Sequence, residues 1–138
     1  MEGEAAKQAQ VVYIVDDDDS VRKALSRLIR SLGIRTEAFA SPQKFLERAV
    51  DEHIACLLLD VQLPGMDGFE LRERTLEAGL DSPVIFITGH PDNRSRSRAS
   101  AAGAVAYLEK PFDDQMLIEA LEIALDRAVG GNDTPGRP

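Results

Sequence analysis

The chain has 138 residues, enough for one domain with its own core and too few for two ordinary ones. Hydrophobic residues make up 43% but aromatics only 5%, and Trp is absent, which leaves Leu, Ile, Val and Ala to build the core. A formal net charge of -8 repels nucleic acid and anionic membrane, so the expected partners include neither.

Residues 1–9, polar and acidic, are expected to be a flexible leading segment with no signal-like character. The run "VVYIV" at 11–15 predicts the first strand, and it leads straight into four aspartates, Asp16 to Asp19. A helix follows, with Val21, Ala24, Leu25, Leu28, Ile29 and Leu32 recurring at three and four residues until Gly33 stops it. After a weak strand at 34–39, Ser41 as cap and Pro42 in the first turn start a second helix through Phe45, Leu46, Ala49 and Val50.

"IACLLL" at 54–59 is apolar at every position, as expected of a strand buried on both faces. Its Cys56 has no partner for an internal disulfide and fits a small buried hydrophobe in a reducing compartment, hence the cytoplasm. A helix is placed at 67–78, a strand "VIFI" at 84–87, a helix at 92–102 and a weak strand at 104–108. The helix at 92–102 carries Arg94, Arg96 and Arg98 at alternate positions and few large apolar side chains, so weak, irregular packing is expected there, with a solvated basic surface. The last helix, 113–128, puts Leu117, Ala120, Leu121, Ala124, Leu125 and Ala128 on one stripe. Residues 129–138 have the composition of a flexible tail or the start of a linker.

Strict alternation of strand and helix implies a parallel sheet covered on both faces and reached by right-handed crossovers. Ligands of such a sheet bind beyond the carboxyl ends of its strands. Asp16 and Asp17, Asp60, Thr88 and Lys110 all fall at such ends, on four different strands. Asp16, Asp17 and Asp60 make a hard oxygen cluster suited to a divalent cation such as magnesium, with no arginine expected beside them. Asp18 and Asp19 suit the start of the first helix, where backbone N–H groups and the dipole favour acids. Singly, a lysine is surface charge and a threonine a strand cap. With the acids they resemble a phosphoryl-transfer site, in which Asp60, projecting alone, is the better acceptor than the paired acids.

The stretches "YIVDDDDSVRKAL", "LLLDVQLPGMDGFEL", "VIFITGH" and "AGAVAYLEKPF", with the final amphipathic helix, resemble the receiver domain of two-component response regulators over about residues 10–127. The details are most similar to receivers attached to LuxR-type DNA-binding domains. The resemblance implies a flavodoxin-like (CheY-like) doubly wound α/β fold, with a five-stranded parallel sheet of order 2-1-3-4-5 and five helices over 10–128. It makes Asp60 the phosphoacceptor and gives magnesium to Asp16, Asp17, Asp60 and the backbone carbonyl of Gln62. Thr88 becomes the switch hydroxyl, Tyr107 the switch aromatic, and Lys110 the phosphoryl partner beside a cis bond to Pro111. Gln62 and His90 would tune loss of the phosphoryl group, and Gly65 and Gly68 would shape the loop after the third strand. A sensor histidine kinase is the implied donor, an output domain or a separate protein the implied recipient, and a homodimer formed on phosphorylation is a further implied partner.

Two other readings stay open on the residues alone. A receiver-like interaction module would keep the fold without accepting phosphate. A magnesium-dependent phosphatase with an aspartyl intermediate would need a second acid two residues past Asp60, where Gln62 stands instead. A switch that catalyses only its own phosphorylation and dephosphorylation, rather than a turnover enzyme, fits best.

Overall fold

A computed structural model describes residues 10–48 and 54–130. In chain order the elements are β1 (Val11–Val15), α1 (Asp19–Ser31), β2 (Arg35–Phe39), α2 (Pro42–Arg48) and β3 (Ile54–Asp60). They continue as α3 (Gly68–Glu77), β4 (Val84–Thr88), α4 (Asn93–Ala101), β5 (Ala106–Glu109) and α5 (Asp114–Gly130). All strand pairs are parallel, in the order β2-β1-β3-β4-β5 that the resemblance implied.

Every residue of β1, β3 and β4 is buried, whereas the edge strands β2 and β5 are only partly so. Continuous apolar runs therefore mark the sheet's centre, where helices cover both faces. On one face Val12, Ile14, Leu58, Ile85 and Ile87 meet Leu25 and Ile29 of α1 and Leu117 and Leu121 of α5. On the other, Tyr13, Leu57, Leu59 and Phe86 meet Phe45 of α2, Phe69 and Leu71 of α3 and Ala99 of α4. Cys56 is fully buried, and burial pushes its thiol up to about 12, which fits a packing role.

A side-chain acceptor opens each helix. Asp18 accepts from the Ser20 and Val21 amides, Ser41 from Lys44, Asp67 from Glu70, Asp92 from Ser95 and Asp113 from Met116. Asp18 thus caps as expected, while Asp19 turns its carboxylate to Arg22 and Lys23. Ala24 is exposed and Ser26 buried, because the inner stripe of α1 centres on Leu25 and Ile29 and Ala24 lies outside it.

The expected irregularity at 92–102 is not found: α4 is a regular helix of nine residues with Ser95 and Ala99 facing inward. The expected end of α2 at Ala49 and Val50, and the flexible segment 1–9, lie outside the described residues. α5 runs to Gly130, two residues into the stretch read as tail; residues 131–138 lie outside the description. Among the described residues no helix is long and apolar enough to cross a membrane.

Candidate functional site

The carboxyl ends of β1, β3 and β5 bring three of the expected residues into contact. Asp60 closes β3 and is 4% exposed, Asp16 follows β1 and is fully buried, and Lys110 follows β5. Lys110 Nζ donates to Asp16 Oδ2 and to Asp60 Oδ2, each at 2.9 Å. The second oxygens are held by backbone: Asp16 Oδ1 accepts from the Asp18 amide and Asp60 Oδ1 from the Gln62 amide, both at 2.9 Å. Lys110 is fixed in turn by its own amide, which donates to the Thr88 carbonyl at 2.8 Å, and the Lys110–Pro111 bond is cis as the resemblance implied.

Burial pushes the Asp60 carboxyl up to about 6; the Lys110 and Gln62 hydrogen bonds act against this rise, and the charge of Asp16 adds to it. Burial by itself would lower the Lys110 ammonium, but its hydrogen bonds to Asp16 and Asp60 and their charges outweigh that and hold it above its usual range. The Asp60 carboxylate and the Lys110 ammonium are therefore tightly linked.

Asp17 is exposed, and one carboxylate oxygen from each of Asp16, Asp17 and Asp60 lies within 4.8 Å of the others. Three hard oxygen donors at this spacing, two buried and one open to solvent, fit a small divalent cation that keeps part of its water shell. An open cleft of about 480 Å³ lined by Asp17, Val61, Gln62, Leu63, Pro64 and Asp67 lies alongside. The expectation that no arginine stands beside the acids needs amending. Arg22 Nη1 donates to the Asp16 carbonyl at 2.8 Å and Nη2 pairs with Asp19, so it supports the loop and leaves the clustered carboxylates free.

The loop after β3 is shaped by glycine, as expected. Gly65 has φ +87°, which side chains rarely adopt, and a Cβ on Gly68 would sit 2.4 Å from the Asp60 carbonyl oxygen. Gly68 thus lets α3 start directly against the backbone of the candidate nucleophile.

Thr88 is at the same edge, fully buried, but its hydroxyl is engaged elsewhere. It donates to Gln62 Oε1 at 3.0 Å and accepts from the His90 amide at 2.9 Å. The His90 side chain is exposed. Tyr107 pairs in register with Phe86, two residues before Thr88, so Tyr107 and Thr88 share one face of the sheet. The Tyr107 hydroxyl is bonded to Ser95 Oγ of α4, and Arg96 lies over its ring at 5.5 Å while pairing with Glu109. Arg98 lies 4.3 Å over Phe69 and reaches Asp67 at 3.6 Å. Sequence reading missed the Gln62 amide on Thr88, the Ser95 partner of Tyr107 and both arginine contacts; each joins residues far apart in the chain with no local pattern. The Asp67–Glu70 capping box was readable as D-x-x-E at the start of the helix placed at 67–78.

Comparison with known proteins adds independent weight. A family model described as response regulator receiver domain matches residues 12–122. Nodulation protein W of Bradyrhizobium diazoefficiens is 40% identical over 124 residues, which cover 90% of this chain and 54% of that protein. Response regulator protein TmoT of Ectopseudomonas mendocina is 41% identical over 121 residues, 88% of this chain and 55% of that protein. The chain spans about half the length of these curated relatives. The solved response regulator StyR is similar with a TM-score of 0.83 and 38% identity, over 94% of this chain and 65% of that one. Because the family match runs from β1 into α5 and takes in all five strands and the acid cluster, the chain belongs to the response regulator receiver domain family, as its motifs implied.

Proposed function

We propose that Asp60 accepts a phosphoryl group from a phosphohistidine of a sensor kinase, or from a small phosphodonor, and that residues 10–128 act as the receiver of a cytoplasmic two-component phosphorelay. A carboxylate oxygen of Asp60 attacks phosphorus in line with the leaving imidazole nitrogen. The P–O bond forms as the P–N bond breaks, and nitrogen keeps the bonding electrons. Asp16, Asp17, Asp60 and the Gln62 carbonyl would hold magnesium, which when bound offsets the repulsion between carboxylate and phosphoryl oxygens. Lys110 supplies a second positive charge, and the observation that carries the reading is its ammonium at 2.9 Å from both Asp16 and Asp60.

The new dianion draws in Lys110 and the Thr88 hydroxyl. Withdrawal of Thr88 opens room toward Tyr107 on the same face, and the α4–β5–α5 surface changes its population of states. Gln62 and His90, both exposed and both in contact with Thr88, tune the lifetime of the phosphoryl group, as the resemblance implies. The output is an attached domain, of LuxR type by resemblance, or a separate protein, with pairing of two copies through the changed surface. The chain works as a switch rather than a turnover enzyme.

Intact mass after incubation with acetyl phosphate and magnesium tests this. The parent is expected to gain one phosphoryl group and Asp60→Asn none. Equal gain in both removes Asp60 from its role, and no gain in the parent favours a receiver-like interaction module.

A further inference from the structure

A hydroxyl has one hydrogen to donate, and that of Thr88 is committed to Gln62 Oε1 at 3.0 Å. Thr88 is fully buried in the resting protein, so its hydroxyl depends there on protein partners. The same residue reaches the nucleophile through its backbone, since the Gln62 amide donates to Asp60 Oδ1 at 2.9 Å. Gln62 therefore touches both groups that the proposed switch must bring together, with its main chain on the carboxylate and its side chain on the hydroxyl. The contacts are of unequal kind: the Asp60 contact belongs to any residue at position 62, while the Thr88 contact belongs to the glutamine amide alone.

We propose that the Gln62 side chain is the resting partner of the Thr88 hydroxyl, so that it sets how readily the protein switches when a phosphoryl group arrives on Asp60. This rests on the phosphoacceptor reading above. For Thr88 to donate to a phosphoryl oxygen it must release Gln62 Oε1. Rotation about its Cα–Cβ bond also carries its oxygen away from the His90 amide, which donates to it at 2.9 Å. Activation is then an exchange of one hydrogen bond for another. The exchange is uphill by the resting bond and downhill by the charge-assisted one that replaces it. Truncating Gln62 exchanges its amide for water as the acceptor in the resting arrangement only, because the phosphoryl oxygens supply the acceptor in the other. Gln62 is itself exposed, so its truncation opens no core cavity.

The role differs from control of phosphoryl lifetime, and a non-hydrolysable probe separates the two. Beryllofluoride is titrated into the parent, Gln62→Ala, Thr88→Ser, Thr88→Val and the double variants of Gln62→Ala with each Thr88 change, at saturating magnesium. The readout is the amide signals of Ser95 and Tyr107. Gln62→Ala is expected to lower the midpoint about fivefold, the size of one net hydrogen bond. The shift persists on the Thr88→Ser background, which keeps the hydroxyl, and vanishes on Thr88→Val, which lacks it. An unchanged or raised midpoint in Gln62→Ala overturns the inference, as does an equal shift on Thr88→Val. A parent whose signals do not respond, or respond equally after Asp60→Asn, overturns the phosphoacceptor reading instead.

Discussion

α1 and α4 both start at the sheet edge that carries the acids, and an aspartate caps each of them, Asp18 in one and Asp92 in the other. Beyond the first turn they differ. α1 buries Leu25 and Ile29 and packs Val21, Leu28 and Leu32 around them, with β1 and β2 as its neighbouring strands. α4 buries only Ser95 and Ala99, and its long side chains are arginines that reach sideways, Arg96 to Tyr107 and Glu109 on β5 and Arg98 to Phe69 and Asp67 at the start of α3. A buried Ile or Leu contributes roughly 1.5–3 kcal/mol, whereas a solvent-exposed ion pair contributes about 0–1 kcal/mol. The first helix is fixed by apolar area that has nowhere else to go. The second is tethered by contacts that water can replace at little cost, which suits the part given to it in the proposed switch.

The widest gap between the two helices should be seen in truncation of their inward residues. Ile29→Ala is expected to cost about 2–5 kcal/mol of global stability, by lost transfer energy and the cavity left behind. Ala99→Gly, the corresponding loss on α4, should cost about 0.5–1 kcal/mol. Denaturant unfolding of both variants checks this, and equal losses would mean that α4 is anchored as firmly as α1.

The difference between the two helices also explains what could be read in advance. α1 announces itself by period: apolar residues at three and four, an acid at the start and Gly33 at the end. The buried strands β1, β3 and β4 were legible as unbroken apolar runs, and Asp16, Asp60 and Thr88 as the polar residues that end them. Lys110, shortly after the weak fifth strand, was legible by its place at the same sheet edge, while its role as phosphoryl partner came from the resemblance. The thin packing of α4 was legible in its few apolar residues, but its regularity was not, because its holding contacts are ion pairs and ring contacts to Asp67, Phe69, Tyr107 and Glu109, none of which lies on the helix itself. Gln62 and Thr88 are 26 residues apart, and only the approach of the β3 and β4 loops brings amide to hydroxyl. Pattern reads burial well. It does not read a pairing between two polar groups that the fold alone makes neighbours.

A finer probe is the hydroxyl pair that ties α4 to β5. Ser95→Ala removes the partner of Tyr107 and leaves the cap at Asp92 in place. Amide exchange in α4 is expected to quicken about fivefold, the equivalent of one net hydrogen bond, with α1 unchanged. Tyr107→Phe should have a similar effect, and the double variant should add little to Ser95→Ala, which removes the shared bond together with that of the Ser95 hydroxyl to the Asp92 carbonyl. Full additivity would show that Ser95 and Tyr107 hold α4 through different partners.

The smallest effect separates the two components of the Arg98 tether. Its guanidinium meets Asp67 as an ion pair at 3.6 Å and the Phe69 face at 4.3 Å, and its side chain is 43% exposed. Salt screens the first contact strongly, since the Debye length falls to about 3 Å at 1 M. The ring contact is short and partly dry, and it depends on a planar cation. High salt should therefore quicken α4 exchange by less than about twofold, while Arg98→Ala should cost roughly 0.5–1 kcal/mol, the scale of an exposed cation–π contact. Arg98→Lys keeps the charge but loses the planar stack, so it should resemble Arg98→Ala more than the parent in high salt. If Arg98→Lys behaves as the parent at low salt and loses its protection only when salt is added, the ion pair to Asp67 is the working tether and Phe69 merely its neighbour. In either case α1, whose ion pairs from Asp19 to Arg22 and Lys23 are confined to its first turn, should keep the exchange rates of its later turns within error across the series.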